Sequence, residues 1–140
     1  MTPRLSVIFF GKPTCINNKK QVRLLEGLEV NVVKHDLLTT HWTPNLLREF
    51  FSGSNPENWI NKAAPRIKSG ELDPTLLSEE DLLKQMCIDP VLIRRPLIVV
   101  GDHRLCGFHW PLLGEILGIQ DIEVSQDMET CMRNKTQEAL

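Results

Sequence analysis

The sequence predicts an α/β fold with a four-stranded mixed sheet and a helical subdomain inserted between its two halves. Residues 5–35 read as strand, helix and strand, residues 43–90 are rich in helix signals, and residues 96–117 read as a β-hairpin followed by a helix. The two strands of a βαβ unit are parallel, whereas the strands of a hairpin are antiparallel. The sheet is therefore expected to contain both kinds of pairing.

Length and composition indicate a single globular domain. The 140 residues are 41% hydrophobic and 24% charged, which is ordinary for a domain that folds without a metal or a disulfide. A net charge of −2 gives no electrostatic reason to expect a nucleic acid or an anionic membrane as partner. No apolar run is long enough to span a bilayer, and the amino terminus lacks the features of a signal peptide, which predicts a cytoplasmic location.

The first half reads as a βαβ unit. Residues 5–10 form a β-rich apolar run that Gly-Lys-Pro-Thr at 11–14 closes as a turn, and residues 30–35 form a second strand. A helical pattern starts at Ile16, and Gly27 is expected to end it because glycine tolerates a positive φ. The residues expected to face inward are Val22, Leu24, Leu25 and Leu28, and those expected to face solvent are Asn17, Lys19, Lys20 and Arg23.

Capping signals divide the inserted segment into helices. Thr43 supplies an N-cap hydroxyl and is followed by a proline at the first helical position, and Asn55 before Pro56 is a second pair of this kind. Ser78 precedes three acidic residues, which the positive end of a helix dipole favours. The basic, glycine-ended segment at 65–70 is either the border of an anion site or a solvated connector, and the connector is favoured. Trp42, Trp59 and Trp110 are expected to serve packing.

The second half reads as a hairpin with a closing helix. Residues 96–100 form an apolar strand, and residues 103–108 form the strand that pairs back onto it. The turn between them has Gly101 as its first residue, the signature of a type II′ hairpin. Residues 111–117 form a last short helix.

Residues 1–118 are thus predicted to form one domain with a helical insertion at about 43–90, and residues 119–140 a loose tail. This order of elements is that of a thioredoxin-like fold. The loop after the first strand then lies at the carboxyl edge of the sheet, where α/β proteins usually place their sites. Cys15 lies in that loop.

Cys15 is the cysteine with a physical reason to react. A thiol at a helix amino terminus faces unpaired backbone N–H groups and the positive end of the helix dipole, both of which favour the thiolate. Lys12, Lys19 and Lys20 are near in sequence and add positive potential, and Lys12 and Lys19 are predicted to stabilise the thiolate. The alternative is an inert cysteine at the N-cap.

The other cysteines, Cys87, Cys106 and Cys131, are irregularly spaced, and no CxxC motif or cysteine–histidine pairing predicts a metal site. Cys15 is therefore expected to act alone, forming a mixed disulfide with glutathione or a partner protein, or to be resolved by a distant cysteine. Cys106 is expected to be a buried strand residue. Cys131 in the tail is expected to be idle, the alternative being that it resolves Cys15.

Arg95 is predicted to be the anion partner of Cys15. Pro96 precedes a core strand at the point where thioredoxin folds place a cis proline beside the nucleophile. Adjacent residues of an extended chain point to opposite sides, so Arg94 and Arg95 are not both expected to face Cys15. A guanidinium beside the thiol is able to hold a thiolate or an oxyanion through its planar fork of donors. The alternative is a pair of solvated surface arginines.

Together these motifs resemble the ArsC/Spx family of thioredoxin-like proteins. They are the strand followed by Gly-Lys-Pro-Thr-Cys at 11–15, and Leu-Ile-Arg-Arg-Pro-Leu-Ile-Val-Val at 92–100. Within the family, the segments 15–21, 61–71 and 92–97 are most similar to the nitrogenase-associated ArsC-like proteins, which are found beside nitrogen-fixation genes. The resemblance implies that nitrogen-fixation proteins are partners.

The resemblance also assigns roles to residues. In arsenate reductases of this family a cysteine attacks arsenate, and glutathione and glutaredoxin resolve the adduct. Cys15 matches that nucleophile. Arg95 matches the arginine that helps to bind the oxyanion, and Pro96 matches the cis proline behind it.

Several positions depart from the family pattern. Where the reductases carry two further arginines, this chain has Asn61 or Lys62 in the insertion and Gly107 after the hairpin cysteine. Each lost charge-assisted hydrogen bond weakens the binding of an oxyanion by about 1.5–3 kcal/mol, which disfavours efficient arsenate reduction. Gly11 and Asn18 also differ, and Asn18 stands where the Spx branch has the second cysteine of its CxxC switch. Disulfide sensing of that type is excluded, whereas binding of a protein partner is not.

The sequence therefore predicts an ArsC-like, single-cysteine thiol oxidoreductase linked to glutathione or glutaredoxin. The protein is expected to bind no cofactor and to use glutathione as a co-substrate. The alternative is a non-catalytic regulator that binds a partner protein through the same fold, and efficient arsenate reduction is the least favoured function. The retained nucleophile favours the first function, and the missing arginines favour the alternative.

Overall fold

The computed structural model describes residues 6–110 and 112–119. Its strands and α-helices are β1 (Ser6–Gly11), α1 (Ile16–Gly27), β2 (Asn31–Asp36), α2 (Pro44–Arg48), α3 (Pro65–Lys68), α4 (Glu79–Ile88), β3 (Leu97–Val100), β4 (His103–Cys106) and α5 (Leu112–Leu117). Short 3₁₀ helices occupy Pro56–Asn58, Pro74–Leu76 and Pro90–Leu92. The predicted tail, with Cys131, lies outside the described residues. No helix within the described ranges has the length and apolar character needed to cross a membrane.

The four strands form one mixed sheet in the order β2-β1-β3-β4. The β1 and β2 strands are parallel, and β3 is antiparallel to both β1 and β4, which confirms the predicted fold class. Phe10 pairs with Leu97, and Leu97 pairs with Cys106. The carboxyl end of β1 therefore lies beside the beginning of β3.

Two hydrophobic clusters cover the two faces of the sheet. One packs the helical insertion against Leu97, and in it the rings of Phe51 and Trp59 stack with their centroids 4.8 Å apart. The other packs α1 and α5 against Val7, Phe9 and other strand residues. The three tryptophans are buried in these clusters, as predicted.

Two of the predicted caps start helices as expected. The Thr43 hydroxyl accepts a hydrogen bond from the Leu46 N–H at 3.2 Å, and the Ser78 hydroxyl accepts one from the Asp81 N–H at 3.1 Å. Asn55 makes no such side-chain bond, and only a 3₁₀ helix follows it. The solvated connector expected at 65–70 contains a turn of α-helix.

The end of α1 differs from the prediction in its backbone conformation. The helix ends at Gly27, but the residue with a positive φ is Glu29, at 65°. Gly27 is thus not used for its conformational freedom. In the hairpin, by contrast, Gly101 has φ of 57°, the left-handed value that the predicted turn requires at its first position.

Candidate functional site

Cys15 is the N-cap residue of α1, in the loop that leaves the end of β1. Its backbone is extended, its N–H donates to the Lys12 carbonyl at 2.9 Å, and its carbonyl accepts from the Lys19 N–H at 3.0 Å. Its side chain makes no capping hydrogen bond to the helix, and it is half-buried. The thiol is therefore placed at the helix amino terminus without being used to cap it.

Asn18 fixes the loop that carries Cys15. Its side-chain oxygen accepts a hydrogen bond from the Lys12 N–H at 2.9 Å, and its side-chain nitrogen donates to the Gln21 side-chain oxygen at 3.0 Å. Gly11 permits this approach, because a Cβ there would lie 2.7 Å from the Phe9 ring and 3.0 Å from the Asn18 oxygen. Asn18, which stands where a CxxC motif would have its second cysteine, thus positions the Cys15 loop.

The solvent-facing orientation predicted for Asn17 is wrong. Asn17, Asn18 and Gln21 are only 4%, 5% and 3% exposed. Burial of Asn18 and Gln21 is tolerated because their side chains hydrogen-bond to each other, which a count of apolar residues does not register. The available signal was that these positions share the helix face of the apolar residues Val22 and Leu25.

We expect Asn18→Ala to lower the free energy of unfolding by about 1–3 kcal/mol, because the partly buried Lys12 N–H loses its acceptor and the buried Gln21 side chain loses its donor. The same change is expected to slow the reaction of Cys15 with disulfides, since the loop is no longer held. Urea denaturation and exchange kinetics measure the two effects. Asn45→Ala, an exposed residue of α2, is the matched control and is expected to change stability by less than about 0.5 kcal/mol. Equal stabilities for the two variants would contradict the positioning role.

Arg95 lies at the junction between the insertion and β3. The Arg95–Pro96 peptide bond is cis. Continuing the antiparallel register by one residue from the Phe10–Leu97 pair brings Pro96 opposite Gly11, where the Cys15 loop departs. The Arg95 atoms Nε and Nη1 are buried and have no hydrogen-bond partner among the described residues. A half-buried arginine with two buried donors left in that state is a candidate for binding an anion.

Arg94 has a different environment. Its Nη1 donates to the Asn58 carbonyl at 3.4 Å, and its guanidinium lies about 3 Å from where a Cβ on Gly107 would be. Gly107 has φ of 92°, and its N–H donates to the Pro96 carbonyl at 2.7 Å. The space beside position 107 is therefore occupied by the guanidinium of Arg94.

We expect Gly107→Ala to lower the free energy of unfolding by about 1–3 kcal/mol, because the new Cβ meets Arg94 in a backbone conformation unfavourable for alanine. Gly27→Ala is the control. A Cβ there meets nothing within 4 Å, so stability should stay the same or rise by up to about 1 kcal/mol. Urea denaturation of both variants checks this, and a Gly107→Ala variant as stable as the wild type would contradict it.

The two other cysteines among the described residues are held as thiols. Burial raises the pKa of Cys106 to about 12, against a smaller opposing effect of the Arg94 charge. The Cys106 sulfur donates weakly to the Asn58 carbonyl at 3.7 Å. Burial also raises the pKa of Cys87. Neither cysteine is therefore prepared to react near neutral pH.

Two positions that the sequence relates to an anion site, Arg66 and Asn61, instead make ion pairs or hydrogen bonds within the insertion and its flanks. Arg66, in the basic segment at 65–70, forms ion pairs with Glu71 at 3.0 Å and Asp89 at 3.3 Å. The side chain of Asn61 donates to the Val91 carbonyl and accepts from the N–H of residue 63. These contacts hold the insertion together. Lys12 and Lys19 instead line a groove between α1 and β2.

Comparison with known proteins places these features in context. The sequence model of the ArsC family matches residues 10–110. An uncharacterized 15.7 kDa protein in the draG 3′ region of Rhodospirillum rubrum is 41% identical over 132 residues, which are 93% of this chain and 90% of that protein. Global transcriptional regulator Spx 1 of Lactococcus lactis is 28% identical over 99 residues, which are 69% of this chain and 77% of the regulator.

Solved structures share the fold. An arsenate reductase from Vibrio cholerae superimposes with a TM-score of 0.68 at 21% sequence identity, over 84% of this chain and 100% of the reductase. At that identity the likeness concerns the fold alone.

Proposed function

The chain belongs to the ArsC family, and on that premise we propose that it is a thiol oxidoreductase working through the single thiolate of Cys15, with glutathione or a glutaredoxin-like protein as thiol partner. One observation carries the proposal. An uncapped thiol lies at a helix amino terminus in the loop that leaves β1 at Gly11. The β1–β3 register, extended by one residue, brings Gly11 opposite Pro96, the residue after Arg95, whose buried Nε and Nη1 atoms have no hydrogen-bond partner among the described residues. The Lys12 and Lys19 ammonium groups support the thiolate.

The reaction is a pair of thiol–disulfide exchanges. The Cys15 thiolate attacks one sulfur of a disulfide, forms a mixed disulfide with it, and releases the other sulfur as a thiolate. A glutathione thiolate then attacks the substrate sulfur of the mixed disulfide, releases the Cys15 thiolate and leaves a glutathione–substrate disulfide. A second glutathione thiolate reduces that disulfide to substrate thiol and glutathione disulfide, so the net electrons come from glutathione. Arg95 stabilises the anionic sulfur through charge-assisted hydrogen bonds.

Efficient arsenate reduction is less well supported. A tetrahedral oxyanion calls for several converging charged donors. The Asn61 side chain is occupied by backbone groups, Gly107 offers no side chain, and Arg94 donates to the Asn58 carbonyl. Among these residues, the proposed site therefore provides only the Nε and Nη1 donors of Arg95 without a partner among the described residues.

The test is turnover of a small neutral disulfide, bis(2-hydroxyethyl) disulfide, in the presence of glutathione and glutathione reductase. The expected result is oxidation of NADPH above the rate without protein. Arsenate in place of the disulfide is expected to give little or no turnover. Absence of turnover with the disulfide would contradict the oxidoreductase function.

A second candidate is a non-catalytic regulator that binds a partner protein. The similarity to a protein named as a transcriptional regulator favours it, as does the replacement of two family arginines. A regulator of this kind would retain its partner in a pull-down with Cys15→Ser, whereas an enzyme held to its substrate by a mixed disulfide would not. The comparison separates the two functions.

The proposal extends to cellular context. A glutathione-linked reaction requires a reducing compartment, which supports a cytoplasmic location. Association with nitrogen-fixation proteins is supported by the family resemblance and by the relative named for the draG 3′ region. Its test is whether such proteins are recovered as mixed disulfides on Cys15 in cells grown under nitrogen-fixing conditions.

A further inference from the structure

A groove lined by basic side chains lies between α1 and β2, the strand at one edge of the sheet. Its volume is about 440 Å³. The charged side chains that line it are four cations and two carboxylates, namely Lys12, Lys19, Arg23, Lys34, Glu26 and Asp36. The groove therefore carries an excess of positive charge, although the net charge of the whole chain is −2.

None of the four cations forms an ion pair within the ranges 6–110 and 112–119. The ion pairs found there involve Arg48, Arg66 and Arg104, which lie outside the groove. Of the two carboxylates in the groove, Asp36 accepts a hydrogen bond from the Leu38 N–H at 2.9 Å. The cations of the groove are therefore available to an anionic occupant.

Three of these cations lie close together along the groove. Lys19 and Arg23 are exposed side chains of α1, one helical turn or about 6 Å apart along the helix axis. Lys34 lies on β2 in register with Phe9, whose side chain packs on the α1 face of the sheet. The groove therefore presents two cations from the helix and a third from the neighbouring strand.

The chain itself has a segment of opposite charge, residues 121–129, which lie outside the described residues. This segment contains no lysine, arginine or histidine. Its four carboxylates belong to Asp121, Glu123, Asp127 and Glu129. They form two pairs with one residue between the members of each pair. In an extended chain such a pair points to one side with a separation of about 6.5 Å, which matches the spacing of Lys19 and Arg23.

The point at which the described chain ends puts this segment within reach of the groove. Ile119 packs against the same hydrophobic cluster as α1, so the chain leaves the described part on the α1 face of the sheet. The preceding strand, β4, lies at the opposite edge of the sheet from β2. Three strand spacings, about 14 Å, separate these edges. The eight residues from Ile119 to Asp127 span up to about 27 Å when extended, which is sufficient.

We propose that the acidic segment 121–129 of this chain docks in the basic groove between α1 and β2, with Asp127 and Glu129 against Lys19 and Arg23. The face on which the described chain ends, the length of the segment and the complementary charges favour this occupant. The groove is then open only to an anionic partner that displaces the segment. This contact is separate from the exchange chemistry proposed for Cys15, and its test does not use that thiol.

The test is zero-length cross-linking of the full-length chain with a carbodiimide, which joins a carboxylate to an amine only when the two are in contact. Peptide mapping by mass spectrometry identifies the linked pairs. Amide bonds from Asp127 or Glu129 to Lys19 or Lys34 are expected. Their yield is expected to fall at least about threefold in Arg23→Gln, which removes a charge but no reactive amine, and to fall in about 0.5 M salt.

Arg48→Gln is the matched control, because Arg48 is an exposed arginine outside the groove, and it should leave the yield unchanged. Lys84, an exposed lysine of α4 outside the groove, reports random contacts of the segment. Absence of cross-links from the segment to Lys19 and Lys34, or a yield at Lys84 equal to theirs, would overturn the inference. So would equal yields in Arg23→Gln and the wild type.

An equal mixture of unlabelled and ¹⁵N-labelled chains identifies the source of the segment. Cross-links that join peptides of the same isotope content are expected, because the segment and the groove belong to one chain. Cross-links between labelled and unlabelled peptides at half of the total would show that the segment of a second copy occupies the groove. That result would overturn docking within one chain.

Discussion

Cys15→Ser is expected to reduce disulfide exchange by more than about 10³-fold, because the chemistry requires a thiolate and a serine hydroxyl stays protonated at neutral pH. The fold should survive this change. The Cys15 sulfur makes no cap bond, whereas serine is a preferred N-cap residue, so the free energy of unfolding should stay the same or rise by about 0.5–1 kcal/mol. Exchange kinetics and urea denaturation measure the two quantities.

Cys87→Ser is the control for general loss of a thiol. Cys87 lies in α4, and burial raises its pKa, so its removal should leave the exchange rate nearly unchanged. If Cys15→Ser kept the wild-type rate and Cys87→Ser lost it, the reactive cysteine would be misassigned.

Arg95→Met is expected to slow exchange by about 10- to 100-fold without destabilising the protein. The slowing follows from the loss of charge-assisted hydrogen bonds to an anionic sulfur, worth about 1.5–3 kcal/mol. The free energy of unfolding is expected to stay unchanged because the buried Nε and Nη1 atoms of Arg95 have no partner to lose among the described residues. Replacing a side chain whose buried donors lack partners by an apolar side chain of similar length is expected to be neutral or stabilising.

Arg94→Met separates this role from a structural one. Arg94 donates to the Asn58 carbonyl and packs over Gly107, so its loss should lower stability more than it slows exchange. Arg95→Lys should restore part of the rate, because it keeps the charge and loses the planar fork. An Arg95→Met variant that is unstable yet exchanges at the wild-type rate would show that Arg95 is a structural residue.

Local sequence patterns predict most of this fold. The apolar runs and turn residues place the strands to within one or two residues, and the Thr43 and Ser78 caps start helices where predicted. The mixed pairing follows from the chain order alone, because the strands of a βαβ unit are parallel and those of a hairpin are antiparallel. These features are local in the chain, so they can be read without the tertiary structure.

Contacts between distant residues could not be predicted in this way. The sequence favours a solvated connector for Arg66, whereas the structure pairs it with Asp89, which follows α4 in the chain. The Arg94 guanidinium lies over Gly107 because β3 and β4 bring their ends together. The groove cations come from a turn, a helix and an edge strand, and only the fold assembles them.

The most direct test of the central claim is the alkylation rate of each cysteine in the folded protein at pH 7. Peptide mapping by mass spectrometry gives the rates with iodoacetamide, and the same chain unfolded in denaturant supplies the reference for each site. With each rate divided by that of the same cysteine in the unfolded chain, Cys15 is expected to react at least about tenfold faster than Cys87 and Cys106. A Cys15 rate equal to or below that of Cys87 would contradict the assignment of Cys15 as the nucleophile.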